Sequence, residues 1–298
     1  MKRFTMLLPN GSMEKEVLDL LAAAGIEVHF GPRGHQSPIR SGNIFQPGDV
    51  AIKLRPWDAA SIVQLQKAHL ALVGDDLLAE SGVASKLKVL DRYPLSRGGV
   101  GQTRVVLAVR KDSAIKSVRD LRPNHVVFTE YPRLAKRWLR RQGARAKVEP
   151  CHGSTEAFPS LGVADAVIEN VETGSSLAAN GLVELETIMT SQLCLVTSAK
   201  ALANQRFRHI IEQVQFLLAS VINARNSRLM KFNFLVQDEE RILELFPGKT
   251  PTVSGLAKQT GFAAEIVVPV EAVNDLFFQL KKRGAWAIIA DPIARLVA

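Results

Sequence analysis

The sequence predicts an α/β protein in three parts, on three observations. Apolar strands alternate with amphipathic helices over roughly the first hundred residues, a second set of strands and helices follows, and from about residue 214 the order of elements becomes β-α-β-β-α-β. That last order is the ferredoxin-like arrangement. At 298 residues the chain is long for one domain, in keeping with such a division. Residues 1–98 with 187–213 are expected to form a first α/β lobe, 99–186 a second, and 214–298 a ferredoxin-like regulatory domain. Strands that cross between the lobes would leave a ligand cleft between them.

FTMLL reads as the first strand, and Val17, Leu20, Leu21 and Ala24 then fall at i, i+3, i+4 and i+7, one face of a helix that Gly25 ends. IEVHF and DVAIKL are the next strands, followed by a helix around Ser61 to Ala68 and the strand LALVG. In the second set, TRVVLAV and HVVFTE are strands, RLAKRWLRRQG a helix and AKVEP a strand. STEAFPSLG is a short helix or turn, DAVIENV a strand, and TGSSLAANG a turn running into a helix. LVELETIMTSQLCLVTS reads as paired strands returning toward the first lobe. From about Gln213, Val214, Leu217, Leu218, Val221 and Ile222 make one long helical face. The strand MKFNFLV, the helix DEERILELF, the strands TVSGLA and AAEIVVPV, a helix bearing Val273, Leu276, Phe277 and Leu280, and the strand AWAIIA complete the chain.

Composition narrows the function. Lys and Arg number 38 against 29 Asp and Glu, a net charge of +9 that suits nucleotides and other small polyanions. The basic residues are dispersed except in KRWLRR at 136–141, with few aromatics between them, so a solvated helix face explains that cluster better than a nucleic-acid stripe. No segment approaches the roughly 20 apolar residues of a membrane span. Pro9, Asn10 and Gly11 cut the N-terminal apolar run far below signal-peptide length. A cytoplasmic protein with no nucleic-acid or membrane partner is expected. Cys151 and Cys194 lack CxxC spacing, and the six histidines form neither HExxH nor an i, i+4 pair, so no disulfide framework or protein-held metal is expected.

Residues 151–181, CHGSTEAFPSLGVADAVIENVETGSSLAANG, gather Glu156, Asp165, Glu169 and Glu172 among small residues in a basic chain. A V-E-T-G-S-S turn leading into a helix presents consecutive backbone N–H groups at the positive end of the helix dipole. Gly174 allows close backbone approach, and the hydroxyls of Thr173, Ser175 and Ser176 add donors, which together make a phosphate cradle. Carboxylates just ahead of it accept hydrogen bonds from vicinal hydroxyls, so a phosphorylated sugar fits, with Glu169 placed for the hydroxyls. An ordinary helix N-cap by Thr173 or Ser175 is the other reading of the same residues.

GSTEAFPSLGVADAVIENVETGSSLAANGLVELE resembles the phosphoribosyl-diphosphate-binding segment of the ATP phosphoribosyltransferases, the first enzymes of histidine biosynthesis. The family pattern is roughly GSxExxPxxGxADxIxDxVxTGxTLxxNGL, matched here through Gly153, Ser154, Glu156, Pro159, Gly162, Ala164, Asp165, Val171, Thr173, Gly174, Leu177, Asn180, Gly181 and Leu182. KLRPWD is similar to the family's RxRxxD segment through Lys53, Arg55 and Asp58, and ALVGDDLLAESG to its GITGxDxLxE turn through Gly74, Asp76, Leu78 and Glu80. TEYPRLAKRWL resembles the T-x-YP-x-L-x-x-RYL segment, and PTVSGLA with LKKRGAWAIIADPI resembles the C-terminal domain of the long form.

The resemblance implies two lobes like those of a periplasmic binding protein, a ferredoxin-like regulatory domain, and joining of N1 of ATP's adenine to C1 of the ribosyl group, with pyrophosphate expelled and Mg²⁺ present. It implies that Thr173, Gly174, Ser175 and Ser176 hold the ribose 5′-phosphate and that Glu169 and Glu172 take the ribose hydroxyls. Lys53, Arg55 and Asp58 with Thr129 and Tyr131 would form the ATP side, Glu169 and Arg55 being the catalytic pair. A homo-oligomer, commonly a hexamer, and histidine as inhibitor at Thr252 and Ala287 are also implied. Three departures stand out. Pro9 and Ser12 occupy positions of a family Lys and Arg, with Arg33, Arg40 or Arg104 as possible substitutes; Glu169 replaces Asp; and Phe232 falls where a polar residue meets histidine. Phe232 favours weak or altered histidine inhibition, and the weakened motif from Pro9 to Met13 favours the alternative, a non-catalytic nucleotide- or amino-acid-sensing homologue of the same fold. A solute-binding protein for import is disfavoured by the N-terminus.

Overall fold

The structure, a computed structural model, describes residues 2–96, 99, 100, 102–257 and 260–297; the expected lobe boundary after residue 98 abuts positions outside this set. The chain runs β1 (Thr5–Pro9), α1 (Glu14–Ala23), β2 (Glu27–Val28), β3 (Gln36–Arg40), β4 (Val50–Leu54), α2 (Ala59–Gln64), β5 (Leu70–Gly74), α3 (Asp75–Ser81) and β6 (Lys88–Tyr93). The short pair β7 (Leu95–Ser96) and β8 (Gly99–Val100) precedes β9 (Thr103–Arg110), β10 (Val126–Thr129), α4 (Pro132–Arg141), β11 (Lys147–Pro150), β12 (Ala166–Val171) and α5 (Ser175–Ala179). Then come β13 (Leu182–Ser191), β14 (Leu193–Thr197), α6 (Ala199–Ala203), α7 (Gln205–Arg225), β15 (Ser227–Leu235), α8 (Glu239–Leu243), β16 (Thr252–Gly255), β17 (Gly261–Pro269), α9 (Val273–Lys282) and β18 (Trp286–Pro292). Packing divides the chain into two units, one ending at Gln215 and one beginning at Phe216.

The first unit holds two large sheets besides the β7-β8 pair. One has the order β2-β3-β4-β1-β5-β14-β6, with β4, β1 and β5 parallel at its centre. All five residues of β1, TMLLP, are buried, as a central parallel strand covered on both faces requires. The other sheet has the order β11-β10-β12-β9-β13, with β11, β10 and β12 parallel and β9 antiparallel to both its neighbours, β12 and β13. This is the two-lobed architecture of periplasmic binding proteins. In open sheets of this kind, ligands gather beyond the carboxyl ends of parallel strands. Those ends are Pro9, Leu54, Gly74, Thr129, Pro150 and Val171.

In the second unit the order is β16-β17-β15-β18, all antiparallel, which is the ferredoxin-like sheet. Met230, Phe232 and Phe234 alternate on β15 and meet Ile242, Phe246 and Leu280 in its core. Phe232 is 1% exposed and stacks on Phe246 at 5.8 Å, so the residue expected to displace a polar partner of histidine is a core residue instead.

Other sequence expectations shift in detail. LVELETIMTSQLCLVTS does not form a strand pair: β13 bonds to β9 in the second sheet, whereas β14 inserts between β5 and β6 in the first. No Gly, Pro or Asn between these strands allows the chain to double back, so it crosses. Of IEVHF only Glu27–Val28 is extended. The long helix starts at Gln205, ahead of the apolar face, because the side chain of Asn204 accepts a bond from the Phe207 amide and caps it. DDLLAES, read only as part of a turn, is helix α3, closed by Gly82 at φ 73°.

Candidate functional site

The turn after β12 is built by a glycine in a conformation other residues resist. Gly174 has φ 76°, and a Cβ there would lie 2.8 Å from Glu184 Oε1. Around it Thr173 Oγ1 and Ser175 Oγ lie 3.0 Å apart, and Ser176 Oγ donates to Glu156 Oε1 at 2.7 Å. Glu184 in turn is gripped by Arg104 at 2.6 and 3.0 Å, so the cation lies one carboxylate away from the turn. Thr173, Gly174, Ser175, Ser176, Glu169, Glu172 and Glu156 line one cavity of about 220 Å³.

Within that cavity Glu169 is largely buried. Burial pushes its carboxyl above the ordinary carboxylate range, against hydrogen bonds from Thr155 and from the Asn170 amide, the latter 3.0 Å long. An acid so placed holds its proton more readily than a solvated one, and charge developing nearby would draw it toward ionisation.

A second cavity, also about 220 Å³, is the cleft between the lobes. Asn10 to Met13 after β1, Arg55 to Trp57 after β4, Asp76 after β5, and Glu130 and Tyr131 after β10 line it, as the parallel-strand rule anticipates. Asn170 lines both cavities, so the turn and the cleft adjoin there.

Arg55 is the one Lys or Arg lining the cleft among the described residues, and its guanidinium comes within 3.9 Å of where a Cβ on Gly11 would be. It thus covers the β1 turn in which Pro9 and Ser12 stand. Tyr131 donates its hydroxyl to Asp76 Oδ2 at 2.8 Å, and its ring lies 5.4 Å from that of Trp57. Burial and the adjacent Asp76 carboxylate raise its phenol out of reach of physiological pH.

Three expected ATP-side residues lie elsewhere. Lys53 pairs with Glu14 at 2.7 Å and sits 5.0 Å over the Phe30 ring. Asp58 is exposed ahead of α2. Thr129 is fully buried, donating to Ile168 O at 2.7 Å and accepting from the Tyr131 amide at 2.9 Å, so it shapes the wall behind Tyr131. Arg33 and Arg40 do not line the cleft. In the second unit Thr252 is on edge strand β16 and Ala287, at φ 51°, on the opposite edge strand β18.

Sequence reasoning passed over Asp76 as a site residue, together with Trp57 and Asn170. Asp76 is 4% exposed and accepts from Tyr131, from Asn170 Nδ2 at 2.8 Å and from Ser191 Oγ at 2.7 Å. Its i, i+4 spacing with Glu80 was the available signal; for Trp57 and Asn170 there was none. Among the described residues no group of three or more His, Cys, Asp or Glu is arranged to hold a metal ion.

Comparison with known proteins identifies the family. Residues 55–218 match the family model HisG, ATP phosphoribosyltransferase, and 224–295 match the HisG C-terminal domain. The chain is 34% identical over 291 residues to the ATP phosphoribosyltransferase of Chlorobium phaeobacteroides, covering 97% of this chain and 96% of that one. It is 30% identical over 248 residues to the enzyme of the same name from Pyrobaculum calidifontis, 83% and 84% of the two chains. In structure it is similar to a chain of the ATP phosphoribosyl transferase (HisG:HisZ) complex from Thermotoga maritima, with a TM-score of 0.59 at 21% identity over 72% of this chain and 98% of that one, a likeness of fold. Turn, cleft and both family matches lie on one chain, which belongs to the ATP phosphoribosyltransferase family in its long form.

Proposed function

We infer that this chain is an ATP phosphoribosyltransferase, joining the phosphoribosyl group of phosphoribosyl diphosphate to N1 of ATP in the first step of histidine biosynthesis. The N1 lone pair forms the new bond to C1 of ribose as the C1–O bond breaks, and that electron pair leaves on pyrophosphate. Such a reaction needs two polyanions held in line and their charge stabilised, more than it needs covalent help.

The observation that supports this placement of the substrates is that turn and cleft adjoin at Asn170, which lines both. Thr173 to Ser176 take the 5′-phosphate through amides and hydroxyls, and Glu169 and Glu172 take the ribose hydroxyls. ATP occupies the cleft beside Tyr131 and Trp57, and Arg55 meets phosphate oxygens. Glu169 balances positive charge on the ribosyl carbon in the transition state. A divalent ion such as Mg²⁺, bound with the diphosphate substrate, would supply charge neutralisation for the departing pyrophosphate.

For regulation, Thr252 and Ala287 are separated by β17 and β15, about 14 Å at the usual strand spacing. A histidine site using both is built from more than one copy, which supports a homo-oligomer, in long forms a hexamer, with the 214–298 domains packed together. Phe232, being core, does not bear on that site. No described helix is long and apolar enough to cross a membrane, which suits a cytoplasmic enzyme. Mixing the protein with ATP, phosphoribosyl diphosphate and Mg²⁺ and following the ultraviolet absorbance of the product tests the activity. No product from folded protein overturns it.

A further inference from the structure

We propose that Asp76 and Glu80 are positioning residues for the transfer: one turn apart on α3 of the first lobe, they hold the start of α4, and with it Tyr131, against the cleft. The proposal rests on the reading that ATP occupies this cleft.

The i, i+4 spacing puts both carboxylates on one face of α3, and they are 4% and 8% exposed. A buried carboxylate is costly unless donors satisfy it. Here the donors come across the cleft. Tyr131 and Asn170 bond Asp76, and the amides of Arg133 and Leu134 bond the two oxygens of Glu80 at 3.0 and 2.7 Å. Helix α4 has no acid in its own first turn, so Glu80 supplies both the missing cap and the charge that its dipole favours.

The exchange is reciprocal. Arg133 and Arg137 reach back to the carbonyls of Ser81 and Ala79, at 2.7 and 3.3 Å, in the last turn of α3. Leu77 and Ala79 on α3, and Trp57 beside it, pack on the core of the second lobe. Drawing the second lobe away from α3 would therefore strand two carboxylates without their donors, so this wall of the cleft is preformed. Asp76 Oδ1 is taken by Ser191 and Oδ2 by Tyr131 and Asn170, which suits a holding role rather than contact with substrate.

The test is Glu80→Gln and Asp76→Asn in the full chain, with Kd for ATP and for phosphoribosyl diphosphate measured separately by calorimetry, alongside steady-state KM and kcat. Each variant keeps the side-chain shape: Glu80→Gln turns an NH2 toward a backbone N–H donor, and Asp76→Asn removes the charge to which Tyr131 and Asn170 donate. ATP Kd and KM should rise about tenfold or more, the scale of one lost charge-assisted bond, while phosphoribosyl diphosphate binding changes less than about twofold. Tyr131→Phe removes a single donor and keeps the ring against Trp57, so it remains informative if the carboxylate variants fail to fold; it should weaken ATP by a smaller factor and alter Trp57 emission, read against Trp57→Phe. Wild-type affinities and KM in folded variants with only a lowered Tm, or equal losses for both substrates, overturn the positioning role. If Arg55→Gln weakens ATP but these variants do not, the cleft reading stands and this inference falls. If the wild type binds no ATP, the cleft reading falls and takes this inference with it.

Discussion

Gly174→Ala probes the phosphate turn with a magnitude the structure supplies. At φ 76° an L side chain costs about 1–2 kcal/mol. The new Cβ would also lie 2.8 Å from Glu184 Oε1, forcing that carboxylate off its two bonds with Arg104. The pair is about one-third exposed, so its loss adds about 0–1 kcal/mol. Together these come to about 2 kcal/mol; a turn that relaxes out of this conformation when empty must be restored at that cost on binding, a roughly 30-fold weaker grip on phosphoribosyl diphosphate. Calorimetric titration reads it, with ATP affinity expected to stay at the wild-type value. Gly174→Ala combined with Glu184→Ala removes the collision but keeps the backbone strain, and should recover up to about fivefold. Wild-type affinity in folded Gly174→Ala, or an ATP affinity that falls in step, would refute the placement of the phosphate.

Glu169→Gln should lower the rate roughly 10- to 150-fold, the scale of a lost bond to a charged group. The same change should stabilise the fold near neutral pH: burial holds the folded carboxyl above its ordinary 4.5, so wild-type stability declines as pH rises through and beyond that value. Melting curves at pH 4 and 7 check this, and an equal or lower Tm for the variant at pH 7 counts against it. Arg55→Gln removes the one Lys or Arg lining the cleft among the described residues and should raise KM for ATP by about tenfold or more, with phosphoribosyl diphosphate affinity read alongside. His69 accepts the Thr5 amide at 3.0 Å and is stacked on Phe4; burial lowers its pKa below 6.5, so stability is lost as pH falls through 6.5. In His69→Gln that loss between pH 7 and 5.5 should flatten.

Fold and site were not equally legible in the sequence. Continuous apolar runs such as TMLLP and LALVG announce parallel strands covered on both faces, and the alternation in MKFNFLV announces a sheet with one covered face. The Thr173-Gly174 turn could be read because its conformation demands glycine, and a local demand leaves a local trace. Lys53 was misplaced because strand spacing says nothing about Glu14, 39 residues away, whose carboxylate captures it. Thr129 looked like a lining residue and is buried, since its hydroxyl satisfies a carbonyl 39 residues onward. Asp76 joins partners 55, 94 and 115 residues distant. Such contacts exist only once the two sheets are brought together, and no window of sequence contains them.

The insertion of β14 between β5 and β6 bears on the order in which the parts can be completed during synthesis. The second lobe is contiguous, from Thr103 to Ser191, and every strand of its sheet is in hand once Ser191 has emerged. The first lobe begins at Thr5, yet its sheet stays split until Leu193 to Thr197 emerge, because β5 and β6 do not bond to each other and both wait for β14. An N-terminal lobe that starts before the second lobe therefore finishes after it. Until then the facing sides of β5 and β6 are unpaired sheet edges, the kind of surface that recruits other chains. A nascent chain stopped just before Leu193 would carry a finished second lobe and an open first one, making this interval the one in which the protein most needs protection from aggregation.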